Sequence, residues 1–204
     1  MAAYPSSPKF NYALGLDENF KTLISEFDGA NEQRRMLIRF SKRSPSLVYQ
    51  NKVKSDYDII HDWYRTYYGA YGDSSGNLFY FFDQAFRHWR DEYVGRGTGA
   101  ALTLDLHSKT TTNDGTLVIY EAGVVQTVSV DYNFVSGGGT EGADRITWIA
   151  GHYPVAGCLI TSDFNGYLRI KARFAKDGWH DDIQNFSQGF PLFNFATQLQ
   201  EVQW

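Results

Sequence analysis

Cysteine is almost absent from this sequence, since Cys158 is the single cysteine in 204 residues. One thiol cannot form an internal disulfide, so the fold does not depend on such cross-links. Cys158 begins the run Cys-Leu-Ile-Thr, which is typical of a strand. We therefore expect a buried structural thiol at this position rather than a nucleophile.

A surplus of basic residues is also missing. The chain has 19 Lys and Arg against 23 Asp and Glu, a formal net charge of −4. Neutralising phosphates requires an excess of cations, so we exclude nucleic-acid binding as the main function.

The sequence also lacks long apolar runs, since no window approaches the roughly 18 uncharged apolar residues of a membrane span. The first residues lack a basic region followed by an apolar run, so we expect no signal peptide and synthesis in the cytoplasm.

Proline is scarce, with five residues, whereas glycine numbers 19 and aromatic residues make up 17% of the chain. Abundant glycine is typical of many turns between short strands. Aromatic side chains favour strands and interfaces. The length is consistent with a single domain over residues 1–204 that buries a sizeable core.

The first third of the chain predicts an arm, a hairpin and a helix. Residues 1–9, with two prolines and two serines, predict an extended N-terminal arm with little core of its own. Residues 20–27 and 33–40 are predicted to pair as a hairpin around a turn at 28–31, and 46–50 as a third short strand. A helix follows, with Ser55 or Asp56 as its N-cap.

The predicted helix carries an aromatic stripe. Its apolar residues recur three and four apart, which places them on one face, and Gly69 and Gly72 end the pattern; the stripe is Tyr57, Ile60, Trp63, Tyr64 and Tyr67. Such a stripe is more typical of a face packed on a sheet than of a ligand platform.

The rest of the chain predicts strands almost throughout, with a β-rich half at residues 97–174. Strands are predicted at 77–83, 102–106, 117–120, 124–130, 145–149, 158–162 and 167–174, with a turn at the Asn113-Asp-Gly sequence. One helix against about ten strands predicts a mainly β fold, a β-sandwich or partly open barrel with one α-helix packed on it.

Patterns that could carry chemistry fail on context. The Gly95-x-Gly97-x-Gly99 sequence resembles a dinucleotide fingerprint, but it precedes an alternating strand instead of opening a helix, and we interpret it as a turn. The histidines show no metal-ligand spacing. We therefore expect no cofactor, no metal and no catalytic residue.

Two polar clusters remain, and neither has carboxylates shown to face each other across a cleft, as glycoside hydrolysis requires. We interpret both as solvated turns with ion pairs. They comprise Asp83, His88, Arg90, Asp91 and Glu92 in the first cluster, and His180, Asp181 and Asp182 in the second.

The C-terminal segment, residues 179–204, is the strongest candidate for a contact surface. Its aromatic residues lie among Gly, Pro and Gln in no regular pattern, so either some rings dock on a partner or all of them complete the core of the domain. The candidate interface residues are Phe186, Phe190, Phe193, Phe195, Leu199, Val202 and Trp204.

The order of several segments resembles a known family. The segments are Phe27-Asp-Gly-Ala-Asn-Glu-Gln-Arg-Arg, Leu78-Phe-Tyr-Phe-Phe-Asp after the helix, the glycine-rich turn at 95–99, Pro154-Val-Ala-Gly, and the terminal Leu199-Gln-Glu-Val. In this order they resemble the distal tail proteins of long-tailed phages and gene-transfer agents. The chain differs at Gln203-Trp204, where a basic residue is usual, and in the glycine-rich insert 136–143.

The resemblance implies a structural virion protein rather than an enzyme. It implies a sixfold ring of this chain at the tail tip, between the tail tube protein and the hub or baseplate protein, with DNA only passing through the lumen and no membrane partner. The rival hypotheses are a carbohydrate-binding β-sandwich, such as a receptor-binding module, and an endolytic glycosidase domain. The first would use exposed Trp and Tyr rings, and the second would need a carboxyl pair in a cleft.

Overall fold

The structure is a computed structural model that describes residues 1–11, 15–27, 31–72, 78–83, 85, 87–109, 116–187 and 190–202. At a few strand positions it describes the backbone alone, namely residues 26, 27, 31, 32, 37–39, 184–187 and 190.

The described residues form twelve strands and one α-helix. The strands are β1 (Gly15–Phe27), β2 (Asn31–Lys52), β3 (Phe79–Phe82), β4 (Arg87–Arg96), β5 (Thr103–Lys109), β6 (Val118–Glu121), β7 (Val124–Gln126), β8 (Tyr132–Val135), β9 (Ala143–Trp148), β10 (Leu159–Phe174), β11 (Asp181–Ser187) and β12 (Phe190–Glu201). The helix α1 is Lys54–Thr66, and a 3-10 turn spans Thr140–Gly142.

The fold is mainly β, with the single helix packed on an open antiparallel sheet, which confirms the predicted fold class. The chain groups into two compact units, each described by itself below. Unit 1 contains Met1–Phe79 and Lys171–Trp204, and unit 2 contains Tyr80–Ile170. The sequence pattern predicts one domain and shows no sign of this division.

The first two strands of unit 1 pair as the predicted antiparallel hairpin. β2 is longer than expected, because the predicted third strand at 46–50 is the second half of β2 itself. The two halves of β2 have different partners. Residues 31–46 pair with β1, and residues 46–52 pair with β12. β12 in turn pairs with β11 and, near its end, with residues 172–174 of β10.

The helix begins two residues earlier than a cap at Ser55 predicts and three earlier than a cap at Asp56 predicts. Its N-cap is Val53, whose side chain makes no capping hydrogen bond, so the expected cap at Ser55 or Asp56 is wrong. Asp56 instead lies in the first turn, where a carboxylate stabilises the positive end of the helix dipole. The helix ends at Thr66, and Gly69, at φ +62°, turns the chain in the left-handed region that favours glycine.

The aromatic stripe of α1 packs into the core of unit 1, as predicted. Ile60 is fully buried and Tyr67 is nearly so. Trp63 lies 4.9 Å from Tyr67 and 6.2 Å from Phe79, measured between ring centroids. Both separations are ones that aromatic rings prefer, and Trp63 meets Phe79 edge to face. The stripe is therefore a packing face.

The N-terminal arm also enters this core, which its sequence does not predict. Tyr4 is 6% exposed, and its hydroxyl lies 3.1 Å from the hydroxyl of buried Tyr49. Its ring contacts those of Phe79 and Phe174. Burial raises the pKa of Tyr4 to about 12. The arm is therefore anchored by one large side chain.

Unit 2 is built around the first part of β10. Residues 159–168 pair with β4, β5 and β6 at different points along the strand, and β5 continues the sheet through β9 to β8. A cluster of apolar side chains fills the interior; it contains Leu106, Ile119, Tyr132, Ile146, Trp148 and Ile160.

The predicted strands of this region exist with different bounds. The predicted strands at 158–162 and 167–174 are one continuous strand, β10. The predicted strand 124–130 stops at Gln126, because residues 127–131 turn around the Asp131 carboxylate, which accepts a hydrogen bond from the Thr127 N–H at 2.7 Å. The Asn113-Asp-Gly turn lies outside the described residues.

Candidate interaction surface

The glycine-rich sequence 95–99 contains the last two residues of β4, and the predicted strand-to-strand turn begins at Gly97. It leaves β4, and β5 follows at Thr103. Gly97 donates its N–H to the Cys158 carbonyl at 2.9 Å and accepts from the Gly157 N–H at 2.8 Å. A Cβ on Gly97 would lie 2.1 Å from the Val155 carbonyl oxygen, so glycine is required for close backbone approach rather than for a phosphate.

Cys158 is half-buried beside a carboxylate. Its Sγ lies 3.3 Å from Glu121 Oε1, and burial together with that carboxylate raises the pKa of the thiol. A raised pKa favours the unreactive protonated thiol. His152, the nearest histidine in the sequence, lies 2.9 Å from Asp131 instead. These contacts agree with a structural thiol.

The first polar cluster differs from the solvated turn that the sequence predicts. Four of its five residues lie on strand β4, which pairs with β10. Among them, Glu92 lies opposite Ser162 and is 5% exposed. Asp91 is exposed at φ +52° and donates its N–H to Asp163 Oδ1 at 2.8 Å. A register shift between Ser162 and Phe164 marks a β-bulge there.

Asp83 of the same cluster is buried and forms hydrogen bonds with backbone groups. Its N–H donates to the Leu168 carbonyl at 2.8 Å, and its Oδ1 accepts from the Ala85 N–H at 2.9 Å. In the second cluster His180 and Asp182 form an exposed pair at 3.6 Å, as predicted, but Asp181 and Asp182 begin strand β11 rather than a turn. Among the described residues, no group of three or more His, Cys, Asp or Glu side chains is placed to hold a metal ion.

The predicted C-terminal interface residues divide between core and surface. Leu199 is fully buried and Phe195 is 4% exposed, stacked on Tyr49 at 4.6 Å. Phe193 and Val202 are half-buried, and Phe193 stacks on Tyr57 at 4.5 Å. The side chains of Phe186 and Phe190, and all of Trp204, lie outside the described residues. Phe195 and Leu199 thus complete the core of unit 1, and the contact role of the segment stays a prediction.

Several exposed apolar side chains lie together on the hairpin β1–β2, which the sequence analysis did not single out. Every described side chain at 17–24 and 33–36 is exposed. The ribbon, as we name residues 19–27 and 31–41, is two strands wide, because the pairing with β12 begins only at Ser46. At the strand rise of about 3.3 Å per residue, its nine residues on β1 span roughly 30 Å.

The two faces of the ribbon differ in chemistry. Alternation along β1 places Phe20, Thr22 and Ile24 on one face, and the register adds Met36 opposite Thr22. Phe20, Ile24 and Met36 are 64%, 54% and 64% exposed. The other face carries Lys21, Leu23 and, opposite Leu23, Arg35. The first face is therefore mainly apolar, with the exposed Arg34 opposite Ile24, and the other face combines an apolar side chain with two cations.

A partly buried ionic group fixes the base of the ribbon. Arg43 Nε lies 2.9 Å from Glu18 Oε1 across the β1–β2 pair. The Arg43 N–H donates to Glu201 Oε2 at 2.8 Å, and the two side chains are 3.8 Å apart. Burial is the largest influence on Glu201 and raises its pKa, while Arg43 opposes the shift. The group ties the hairpin to the last strand.

A cleft of about 260 Å³ opens on unit 1. Aromatic side chains and one cation line part of it, namely Tyr64, Phe174, Trp179 and Lys176. The Tyr64 hydroxyl is buried and makes no hydrogen bond to the residues that the structure describes. The size and lining suit ordered water or a small polar ligand.

The one helix of the described residues is too short and too polar to cross a lipid bilayer. Comparison with known proteins gives no assignment, because no protein-family model matches the sequence and no curated protein is significantly similar to it.

Proposed function

We propose that this protein is a structural subunit of a phage tail tip, a distal tail protein that forms a sixfold ring between the tail tube and the hub or baseplate of a long-tailed phage or phage-derived particle. The family and the sixfold stoichiometry come from the sequence resemblance. The observation that carries the proposal is the ribbon, because its exposed apolar side chains suit contact with a protein partner.

The physical argument starts from the stability of isolated hairpins. A two-stranded ribbon is marginally stable in water unless a further strand or layer covers it. This ribbon exposes Phe20, Ile24 and Met36 on one face and Leu23 on the other. Contiguous exposed apolar side chains of this kind mark interaction sites. An assembling protein gains stability by covering them.

The polar groups of the chain support a structural rather than a catalytic role. The buried carboxylates have structural contacts: Asp144 accepts from Ser108 at 2.7 Å, and Glu201 accepts from the Arg43 backbone. Asp105, which is partly buried, accepts from Arg145 Nε at 2.8 Å. Burial opposes the ionisation of Asp105, and hydrogen bonds from Arg145 and Thr140 outweigh it and lower its pKa. These carboxylates hold strands together.

Mass photometry of the purified chain tests the proposal. Six chains of 23.3 kDa make a particle of roughly 140 kDa, and a heterologous interface whose rotation closes gives such a ring. The chain is measured alone and with tail tube or hub protein. We expect the ring in at least one of these mixtures. A chain that stays monomeric at micromolar concentration in all of them would contradict the proposal.

A carbohydrate-binding module is the second candidate, favoured by exposed tyrosines. Tyr68 and Tyr71, directly after α1, are 61% and 68% exposed, and exposed aromatic rings stack on sugar rings. A glycan array probed with wild-type protein and with Tyr68→Ala/Tyr71→Ala separates the candidates. Glycan binding that the double substitution abolishes would favour the module, whereas unchanged background binding favours the tail ring.

A further inference from the structure

The sheet of unit 1 ends in two strand edges of complementary chemistry. In the order β1, β2, β12, β11, the outermost strands are β1 and β11. Within the described residues, no strand pairs with the outer edge of either one. An open edge presents unpaired N–H and C=O groups to any strand of another chain.

The β1 edge belongs to the ribbon, which has a net positive charge. Residues 19–25 of β1 contain Lys21, residues 33–36 of β2 contain Arg34 and Arg35, and the ribbon as a whole has four cations against Glu26 and Glu32. Lys21, two residues before Leu23 on β1, and Arg35, opposite Leu23 on β2, are both exposed, and Leu23 itself is 48% exposed. This edge therefore offers an apolar centre flanked by positive charge.

The β11 edge has the opposite charge around a similar apolar centre. Asp181 and Asp182 begin the strand, and Ile183, the next residue, is 58% exposed. The Asp182 side chain is itself 57% exposed. Carboxylates beside an exposed isoleucine are the complement of the Lys21, Leu23 and Arg35 surface.

We propose that the ribbon of one copy docks along β11 of a second copy and extends the second copy's sheet by backbone pairing. Lys21 and Arg35 face Asp181 and Asp182 across the junction, and the apolar side chains of the two edges cover one another. The partner is another copy of this chain because the acidic, apolar edge that fits the ribbon lies on the same unit.

Using different edges on the two partners has a consequence for assembly. Such a contact is heterologous, so each copy still offers one free edge after it binds, and the contact repeats until a ring closes. This inference rests on the proposed function and adds to it the surfaces that join neighbouring subunits. Strand addition also explains how a thin ribbon can bind firmly, since main-chain hydrogen bonds provide affinity whatever the side chains.

Charge reversal with mixing tests the junction in the full-length chain. Variant A carries Lys21→Glu and Arg35→Glu, and variant B carries Asp181→Lys and Asp182→Lys. Alone, each variant brings like charges together, and we expect assembly to require at least a tenfold higher concentration than the wild type needs. Mixed one to one, A and B pair in alternation, and we expect mass photometry to recover the ring.

The mixture also controls for folding, because two misfolded proteins would not restore each other. This matters for variant B, since Asp181 interacts with Tyr57. Lys9→Glu/Arg65→Glu, which reverses two exposed cations of unit 1 outside the ribbon, is the matched control and should assemble normally.

The outcomes separate the two proposals. Rings of A or B alone at wild-type concentrations, or no recovery on mixing, would overturn the junction while leaving the ring itself in place. A wild-type chain that never assembles would overturn the ring and the junction together. Recovery only in the mixture supports both.

Discussion

Single residues set how closely the strands of unit 2 approach, and Gly97 is the sharpest case. We expect Gly97→Ala to lower the free energy of unfolding by about 1–3 kcal/mol, as overpacking does. The new Cβ would meet the Val155 carbonyl oxygen at 2.1 Å and the Cys158 sulfur at 2.6 Å. Urea denaturation measures the effect.

Gly178→Ala is the control for this substitution. An added Cβ on Gly178 would meet nothing within 4 Å, and its φ lies outside the left-handed region. It should leave the stability unchanged or slightly higher. An equal loss in both variants would show that close packing at Gly97 is not the cause.

The buried Glu201 predicts a pH dependence of stability. The pKa of this carboxyl is raised by burial from an ordinary value of 4.5, so the folded state binds the proton more tightly than the unfolded state does. The stability that proton binding at Glu201 contributes is fully present below pH 4.5. It is lost as the pH rises through the raised pKa that Glu201 has in the folded state. Glu201→Gln should remove this part of the pH dependence.

Unfolding free energies of wild type and Glu201→Gln, measured from pH 4 to pH 8, check the prediction as a difference between the two proteins. The wild type should lose stability relative to Glu201→Gln as the pH rises above 4.5. Glu141→Gln, which alters an exposed carboxylate of unit 2, provides the control and should follow the wild type throughout. A constant difference between wild type and Glu201→Gln would contradict the role of burial.

At the residue scale, local pattern predicts what depends on near neighbours. The turn at Gly97 and a structural role for Cys158 follow from adjacent residues. The burial of Glu92 does not, because it depends on pairing with Ser162, 70 positions later in the chain, and on the bulge that shifts this register. Likewise, the meeting of Arg43 with Glu201 requires β2 and β12 to be neighbours.

At the element scale, the N-terminal arm acts as part of the core. We expect Tyr4→Ala to cost about 3–5 kcal/mol, because it deletes a large buried ring. Tyr4→Phe should cost about 1–2 kcal/mol, since it leaves the buried Tyr49 hydroxyl without this partner. Lys9→Ala, an exposed change in the same arm, is the control.

Thermal and urea unfolding of these three variants measure the anchoring of the arm. The expected order of stability is Lys9→Ala, then Tyr4→Phe, then Tyr4→Ala. If Tyr4→Ala were as stable as Lys9→Ala, the arm would contribute nothing to the core, and the prediction would be wrong.

Elements with strong periodicity are the ones that sequence predicts best. The aromatic stripe at helical spacing identifies both α1 and its buried face. The continuity of β2 is harder to predict, because Ser41-Lys-Arg-Ser-Pro45 has the composition of a turn. It remains a strand because Arg43 and Ser44 are buried there, and Arg43 pairs with Glu18 and Glu201.

At the scale of the whole molecule, sequence periodicity predicts a mainly β fold, but not which surfaces stay open. Exposed apolar residues in a strand have the same alternating pattern as buried ones. Ile24 and Met36 therefore resemble core residues until the register shows that β12 pairs with β2 only from Ser46 onward. The order of the strands in the sheet determines which part of a strand has no second neighbour.

The ribbon allows folding and assembly to be separated in one molecule. Asn19 and Lys42 are paired across β1 and β2, so a two-residue Asn-Gly turn can join them directly in place of residues 20–41. We expect this trimmed chain to fold, because Arg43, Glu18 and Glu201 at the base are retained. It should remain monomeric under conditions in which the full chain forms rings.

A second variant keeps the chain length and changes only the apolar face. Phe20→Ser/Ile24→Ser/Met36→Ser removes three side chains that are at least 54% exposed, so the free energy of unfolding of the monomer should change little. Ring formation, followed by mass photometry, should fall sharply because the apolar area that the ring covers is lost. Val124→Ser/Val125→Ser alters exposed valines of unit 2 as a control. Rings of the trimmed chain at normal yield would show that the ribbon is dispensable and that another surface joins the subunits.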